Sequence, residues 1–299
     1  MNRYDKLMER LKNGERILID GATGTEVERR GVPQIEGAWN GGGTLSHPDT
    51  IRGIHEDYIR CGAQLVISNT FATSRHILQA AGVEEHFETI NRRAVELACE
   101  ARDSMGNPDV LVAGGVTHWS FADQAPSLDQ LRTNIEDEVA IMADTGAELL
   151  MLEMMIDIER MLVTLEAAQT SGLPVWVGFT CEVDDEGVVR LWDGPTLADA
   201  ITAIQDKNVP LISIMHTDVK YVDAALEVLQ ANWSKPIGVY AHSGDYVEEE
   251  AQWVFDDVIS PEAYATAATR WLQSGVQVIG GCCGIGTEHI TRLKTILTG

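Results

Sequence analysis

The chain is short of positive charge. It has 22 Lys and Arg against 46 Asp and Glu, a formal net charge of −24. A surface of that sign repels phosphates, which argues against nucleic acids and anionic membranes as partners. The acidity is spread along the chain, with one tight run (EEE) at 248–250, and its plain meaning is solubility. Long hydrophobic runs are also missing, and no segment has the length needed to span a bilayer. The opening stretch, MNRYDKLMERLKNGER, is charged from its start and lacks the apolar segment of a signal peptide, which predicts a cytoplasmic protein. Cysteine is scarce: Cys61, Cys99, Cys181, Cys282 and Cys283. An odd number of thiols in a large chain without an export signal argues against a disulfide framework, so these thiols either pack or do chemistry. No Pro-, Gly- or Ser-rich linker divides the sequence, and residues 1–299 read as a single domain.

What the chain does have is a repeating pattern. Eight short apolar runs read as strands: 16–20 (RILID), 65–69 (LVISN), 110–115 (VLVAGG), 148–153 (ELLMLE), 175–180 (VWVGFT), 211–215 (LISIM), 236–240 (PIGVY) and 276–281 (VQVIGG). They are nearly all apolar, as parallel strands buried on both faces should be. Amphipathic helical patterns lie between them. One begins with Ser46 as expected N-cap and Pro48 in its first turn. Four close on a glycine just before the next strand, at Gly62, Gly146, Gly172 and Gly275. Repeated βα units of this kind predict an α/β fold, a (β/α)8 TIM barrel, with an open doubly wound sheet as the alternative. The least periodic piece, 31–46 (GVPQIEGAWNGGGTLS), is expected to be a long loop after the first strand.

In such a barrel, functional groups stand at the C-terminal strand ends. Those ends are Asp20, Asn69-Thr70-Phe71, Gly114-Gly115 with Thr117 and His118 beyond, Glu153, Thr180-Cys181-Glu182, His216, His242-Ser243-Gly244-Asp245 and Cys282-Cys283. Five potential metal ligands therefore share one rim: Cys181, His216, His242, Cys282 and Cys283. Imidazole and thiolate suit zinc. Adjacent residues of a regular strand point to opposite faces, so Cys282 and Cys283 can meet one ion only if the strand ends there and turns. The surrounding GGCCGIG permits that turn. Cys61 and Cys99, within helical patterns, read as packing residues, and Cys181 and His216 have the same plain alternative. DGATGTE, at 20–26, has neither the spacing nor the lysine of a phosphate loop. Asp20, Gly21 and the backbone amides of Ala22 and Thr23 could instead receive the ammonium and carboxylate of an amino acid.

These residues resemble the homocysteine S-methyltransferases. That family includes the S-methylmethionine-dependent enzymes, betaine–homocysteine methyltransferase and the homocysteine-binding module of methionine synthase. The matching pieces are LIDGATGTEVERRG, AWN…HPDTIRGIHEDYIRCGAQLVISNTFATS, LLMLEMM, IGVYAHSGD and VIGGCCGIGTEHI, in the family's order and over nearly the whole chain. The resemblance implies a (β/α)8 barrel and zinc held by three cysteines, with the substrate thiol as fourth ligand. Carried over, Cys282 and Cys283 are metal ligands and Asp20 and Glu153 hold the substrate's amino group; Gly21, Thr23, Asn69 and Thr70, at the same strand ends, are expected to bind the substrate beside them. The family's cysteine at the sixth strand end is replaced here by His216, and its Pro-Asn after the seventh strand by Ala241-His242. The third ligand is then His216, with Cys181 or His242 as alternatives. Implied partners are a small-molecule thiol and a cationic methyl donor, a sulfonium ahead of betaine, with Trp39, Phe71, Trp119 and Trp192 as candidate cation-holding rings. A homo-oligomer is compatible with this reading. A family member acting on another thiol, a non-catalytic thiol- or metal-binding barrel, and a different zinc enzyme are the competing readings.

Overall fold

A computed structural model describes residues 1–35, 38–39, 41–120, 125–192, 194–247, 252–254 and 257–298. The acidic run at 248–250 and the side chain of Asp245 lie outside what is described. Eight parallel strands form the centre: β1 (Ile17–Leu18), β2 (Leu65–Ile67), β3 (Leu111–Val116), β4 (Leu149–Met155), β5 (Val175–Phe179), β6 (Ile212–Asp218), β7 (Ile237–His242) and β8 (Val278–Ile279). Their order is β1-β8-β7-β6-β5-β4-β3-β2. A parallel bridge from Ile19 to Leu65 joins the two ends of that order, with Asp20 N donating to Leu65 O at 3.1 Å and Gln64 N to Leu18 O at 2.8 Å. The fold is a (β/α)8 barrel, and the open-sheet alternative is set aside because both would-be edge strands are paired.

Strand alternation separates two apolar layers. Ile17, Leu65, Leu111, Leu149, Met151, Trp176, Leu211, Tyr240 and Val278 fill the barrel interior. Leu18, Val66, Val112, Leu150, Val177, Ile212, Val239 and Ile279 face the helices. Burial on both sides explains why each strand reads as an unbroken apolar run. The opening helix, Arg3–Lys12, sends Leu7 and Leu11 into the interior cluster, and Trp176 Nε1 donates to Tyr4 Oη at 3.2 Å. The charged start of the chain is thus a plug for the lower end of the barrel.

Two local expectations are corrected. Ser46 does not cap the helix Pro48–Cys61; His47 holds that position. Ser46 instead ends a short helix, Gly43–Ser46, and its hydroxyl donates back to Gly42 O at 3.1 Å. A serine inside a turn can use that local bond, which competes with capping. Residues 31–46 also do not directly follow the first strand, because the helix Thr23–Arg29 intervenes. At seven residues that helix is too short to show a period. The four closing glycines all have positive φ: 105° at Gly62, 121° at Gly146, 74° at Gly172 and 116° at Gly275.

Candidate metal and substrate site

The two adjacent thiols meet because β8 ends in a turn. Cys282 N still donates to Ala241 O at 2.8 Å, continuing the ladder, while Ile285 N donates back to Cys282 O at 3.0 Å. Gly284, third residue of that turn, has φ +81°, as a type II turn requires. A Cβ there would also lie 2.0 Å from the carbonyl oxygen of Ser243. The turn is tied from outside by the helix Thr23–Arg29: Gly284 N donates to Thr25 Oγ1 at 3.2 Å and Arg29 Nη2 to Gly284 O at 3.3 Å. As a result the Sγ atoms of Cys282 and Cys283 lie 3.9 Å apart.

His216 reaches the same point from β6. Its φ is +42°, in the left-handed region, and the β6–β7 register shifts between Met215 and Asp218. A bulge of this kind re-aims a side chain, at a backbone cost of about 1–3 kcal/mol. Nδ1 of His216 lies 3.5 Å from Cys282 Sγ, and the ligand atoms of His216, Cys282 and Cys283 all fall within 4.8 Å of one another. Zinc bonds of about 2.3 Å to sulfur and 2.0–2.1 Å to nitrogen, at tetrahedral angles, require separations of about 3.8 Å (S–S) and 3.5 Å (S–N). The donor set and its spacing fit that ion. Within the pair, the hydrogen bond between the sulfurs holds the Cys283 thiol well below the usual range and Cys282 well above it. The His216 ring helps hold Cys283 down, and burial adds to the rise of Cys282. The pair therefore tends to share a single proton.

The other candidate ligands do not join. Cys181 packs in the outer layer, and burial pushes its thiol up. His242 is not among the three clustered ligands; its ring lies against that of His216 at 4.5 Å between centroids. Burial, reinforced by the His216 ring, lowers His242 to about 3. Cys61 and Cys99 are partly buried against the outer core, where packing residues belong.

Two buried carboxyls stand at strand ends of the barrel. Asp20 is 1% exposed and Glu153 8%. Asp20 Oδ2 accepts from Ile67 N at 2.7 Å. Burial pushes each group up to about 8; the backbone bond to Ile67 opposes this at Asp20, and the charge of Asp20 adds to it at Glu153. Glu153 sits at a second bulge: Met154 has φ +54°, and the β4–β5 register shifts between Leu152 and Met155. The absent side chain of Gly115 makes room for it, since a Cβ there would lie 2.5 Å from Glu153 Oε2.

The remaining predicted residues divide. Gly21 approaches the Ile285 carbonyl so closely that a Cβ would lie 2.3 Å from it. The amide of Ala22 donates to Ile285 O at 3.0 Å, so it is used in the fold and not held ready for a substrate carboxylate. Thr23 begins the helix Thr23–Arg29. Asn69 Nδ2 donates to Thr44 Oγ1 at 3.2 Å. Thr70 Oγ1 donates to Gly115 O at 2.8 Å and accepts from Gly115 N at 3.0 Å, so its hydroxyl is engaged by β3. Trp39, with φ +44°, is joined to Ile35 by an isolated antiparallel bridge. Phe71, Trp119 and Trp192 all pack on the interior cluster at the Cys282 end, and Phe71 stacks on Trp119 at 6.2 Å. Trp192 meets the His216 ring edge-on at 5.6 Å. It is carried by a hairpin, Cys181–Val183 with Val189–Leu191, which no strand-counting argument revealed. Two surface grooves of about 880 and 580 Å³ lie at the opposite, lower end, lined in part by the opening helix. They are remote from these groups, at the barrel face associated with stability.

Known proteins resemble this chain over most of its length. A family profile described as homocysteine S-methyltransferase matches residues 17–297. A homocysteine S-methyltransferase of Bacillus subtilis is 25% identical, over 93% of this chain and 93% of its own length. A selenocysteine methyltransferase of Astragalus bisulcatus is 27% identical, over 95% and 93%. The crystal structure of the homocysteine methyltransferase MmuM from Escherichia coli, in its metallated form, superposes with a TM-score of 0.80 at 26% identity, over 99% of this chain and 100% of that one.

Proposed function

Because this chain belongs to the homocysteine S-methyltransferase family, and is therefore a methyltransferase, we propose that it moves a methyl group from a sulfonium donor to the thiol of homocysteine, giving methionine. The convergence of His216, Cys282 and Cys283 on one point carries this reading. Those three would hold zinc. A bound zinc ion would take the substrate thiol as fourth ligand and keep it as the thiolate, a form that is only a few per cent populated for a free thiol at neutral pH.

The chain's own groups do the rest. Asp20 and Glu153 receive the substrate ammonium, which supplies the countercharge that both buried carboxyls lack. Gly21 lets the backbone approach, and Thr23, Asn69 and Thr70 shape the walls beside it. Phe71, Trp119 and Trp192 present ring faces and edges to a donor cation and exclude water from it. The donor loses its charge on transfer, so no protein acid is needed. His216 makes the ligand set one unit less negative than three thiolates. That favours binding of the incoming thiolate and lowers its nucleophilicity, which suits a sulfonium, the more reactive donor.

The test is methionine formation from homocysteine with sulfonium and quaternary ammonium donors, alongside zinc content. We expect one zinc per chain, lost in Cys282→Ser, and faster turnover with the sulfonium. Faster transfer from betaine by a zinc-replete enzyme would refute the donor assignment. Absence of methionine with every donor would refute the acceptor.

A further inference from the structure

His216 poses a problem that a cysteine does not. A thiol offers one donor atom on a short side chain. An imidazole offers two nitrogens on a plane that rotates about the Cβ–Cγ bond, and only one orientation aims Nδ1 at Cys282. The residue also occupies a left-handed backbone conformation within a bulge. Something must hold both the backbone and the plane.

Two neighbours meet these needs. Asp218 and His242 are paired across β6 and β7, immediately beyond the register shift, so the His242 backbone marks the place where the bulge ends. The face of the His242 ring lies 4.5 Å from the His216 ring, tilted by 42°. On another side Trp192 meets the same imidazole edge-on, at 5.6 Å and 82°. His242 is 5% exposed, and it stands outside the cluster of three ligand atoms.

We propose that His242 is a positioning residue for the metal ligand His216: its ring fixes the plane that aims Nδ1 at Cys282, and Trp192 supports that plane from its edge. The two histidines at the ends of β6 and β7 then form a matched pair, each of use because the other is present. This rests on the metal-site reading above and goes beyond it. Outer partners of metal ligands typically change metal affinity by about 10–100-fold when removed.

The informative variant is His242→Asn, which keeps a polar side chain and removes the ring. Zinc affinity is read by chelator competition, and site geometry by the visible absorption of the cobalt(II)-substituted protein. We expect His242→Asn to bind zinc about 10–100-fold more weakly and to shift the cobalt bands. In a His216→Cys background the same replacement should change zinc affinity less than about 3-fold, because a thiol has no plane to fix. His242→Phe, which retains a ring, should stay nearer the wild type than His242→Asn in both readouts. Wild-type affinity and spectrum in His242→Asn would overturn the proposal. So would equal losses in the wild-type and His216→Cys backgrounds, which would mean a general structural effect. Cys282→Ser separates the two levels: if it retains zinc, the metal-site reading itself fails. If it loses zinc while His242→Asn does not, only the role of His242 fails.

Discussion

The burial of Asp20 and Glu153, the proposed ammonium partners, makes a sharp prediction about stability. Each is pushed up to about 8 in the fold, whereas in an unfolded chain the two titrate near about 3.9 and 4.3. Between about pH 4 and pH 8 the folded state therefore keeps protons that the unfolded state has released. Their contribution is fully present below the unfolded values and is lost as pH rises through the folded ones. Each group gives a slope of about 1.4 kcal/mol per pH unit, so Asp20 alone accounts for up to about 4 kcal/mol at pH 7. Asp20→Asn removes the titration and retains an oxygen that can accept from Ile67 N. The variant should be more stable than the wild type at pH 7 by a few kcal/mol, with about half the pH slope that the pair produces. On the proposed role of Asp20 as an ammonium partner, it should also raise the KM for homocysteine by about 10–100-fold, the loss of one charged hydrogen bond. Urea unfolding at pH 5, 6, 7 and 8, with steady-state kinetics at pH 7, measures both. A variant less stable than the wild type at pH 7, or one with an unchanged slope, would refute the reasoning.

Other consequences are simpler to check. Gly284→Ala should disrupt the Cys282–Ile285 turn, because its Cβ would lie 2.0 Å from Ser243 O at a φ of +81°; zinc content should fall together with thermal stability. Cys181→Ala should leave zinc content unchanged, since Cys181 packs in the outer layer. Metal analysis of Cys181→Ala beside Cys282→Ser is a direct contrast. Trp192→Ala should raise the KM for a sulfonium donor by about 2–30-fold, the worth of one cation–π contact. Leu7→Ala should cost about 2–5 kcal/mol by denaturant titration, with kcat unchanged, because it empties the lower end of the barrel and touches nothing at the rim.

The barrel was legible because its strands are buried on both faces. That condition imposes apolar runs that any reader of the chain can count, and all eight appear where expected. The helix stops were legible for a similar reason: positive φ favours glycine, and glycine is visible. The helix Thr23–Arg29 was not, since two turns give no period, and neither was the plugging role of Arg3–Lys12, whose two interior leucines stand among charges. Ser46 misled because a serine near a helix start has more than one local bond to make. The hairpin carrying Trp192 was hidden inside what read as loop, as its strands have three residues each.

For the site, composition and strand-end position alone put Cys282, Cys283, His216, Asp20 and Glu153 on one rim, because strand ends share a face whatever the loops do. Which of them meet was a tertiary matter. Cys181 and His242 stand on the same rim as His216, and nothing in their spacing separates a ligand from a neighbour. Side-chain direction separates them: a bulge with a left-handed residue turns His216 inward, while Cys181 packs outward. Such bulges arise from the pairing of distant strands, which a linear pattern does not record.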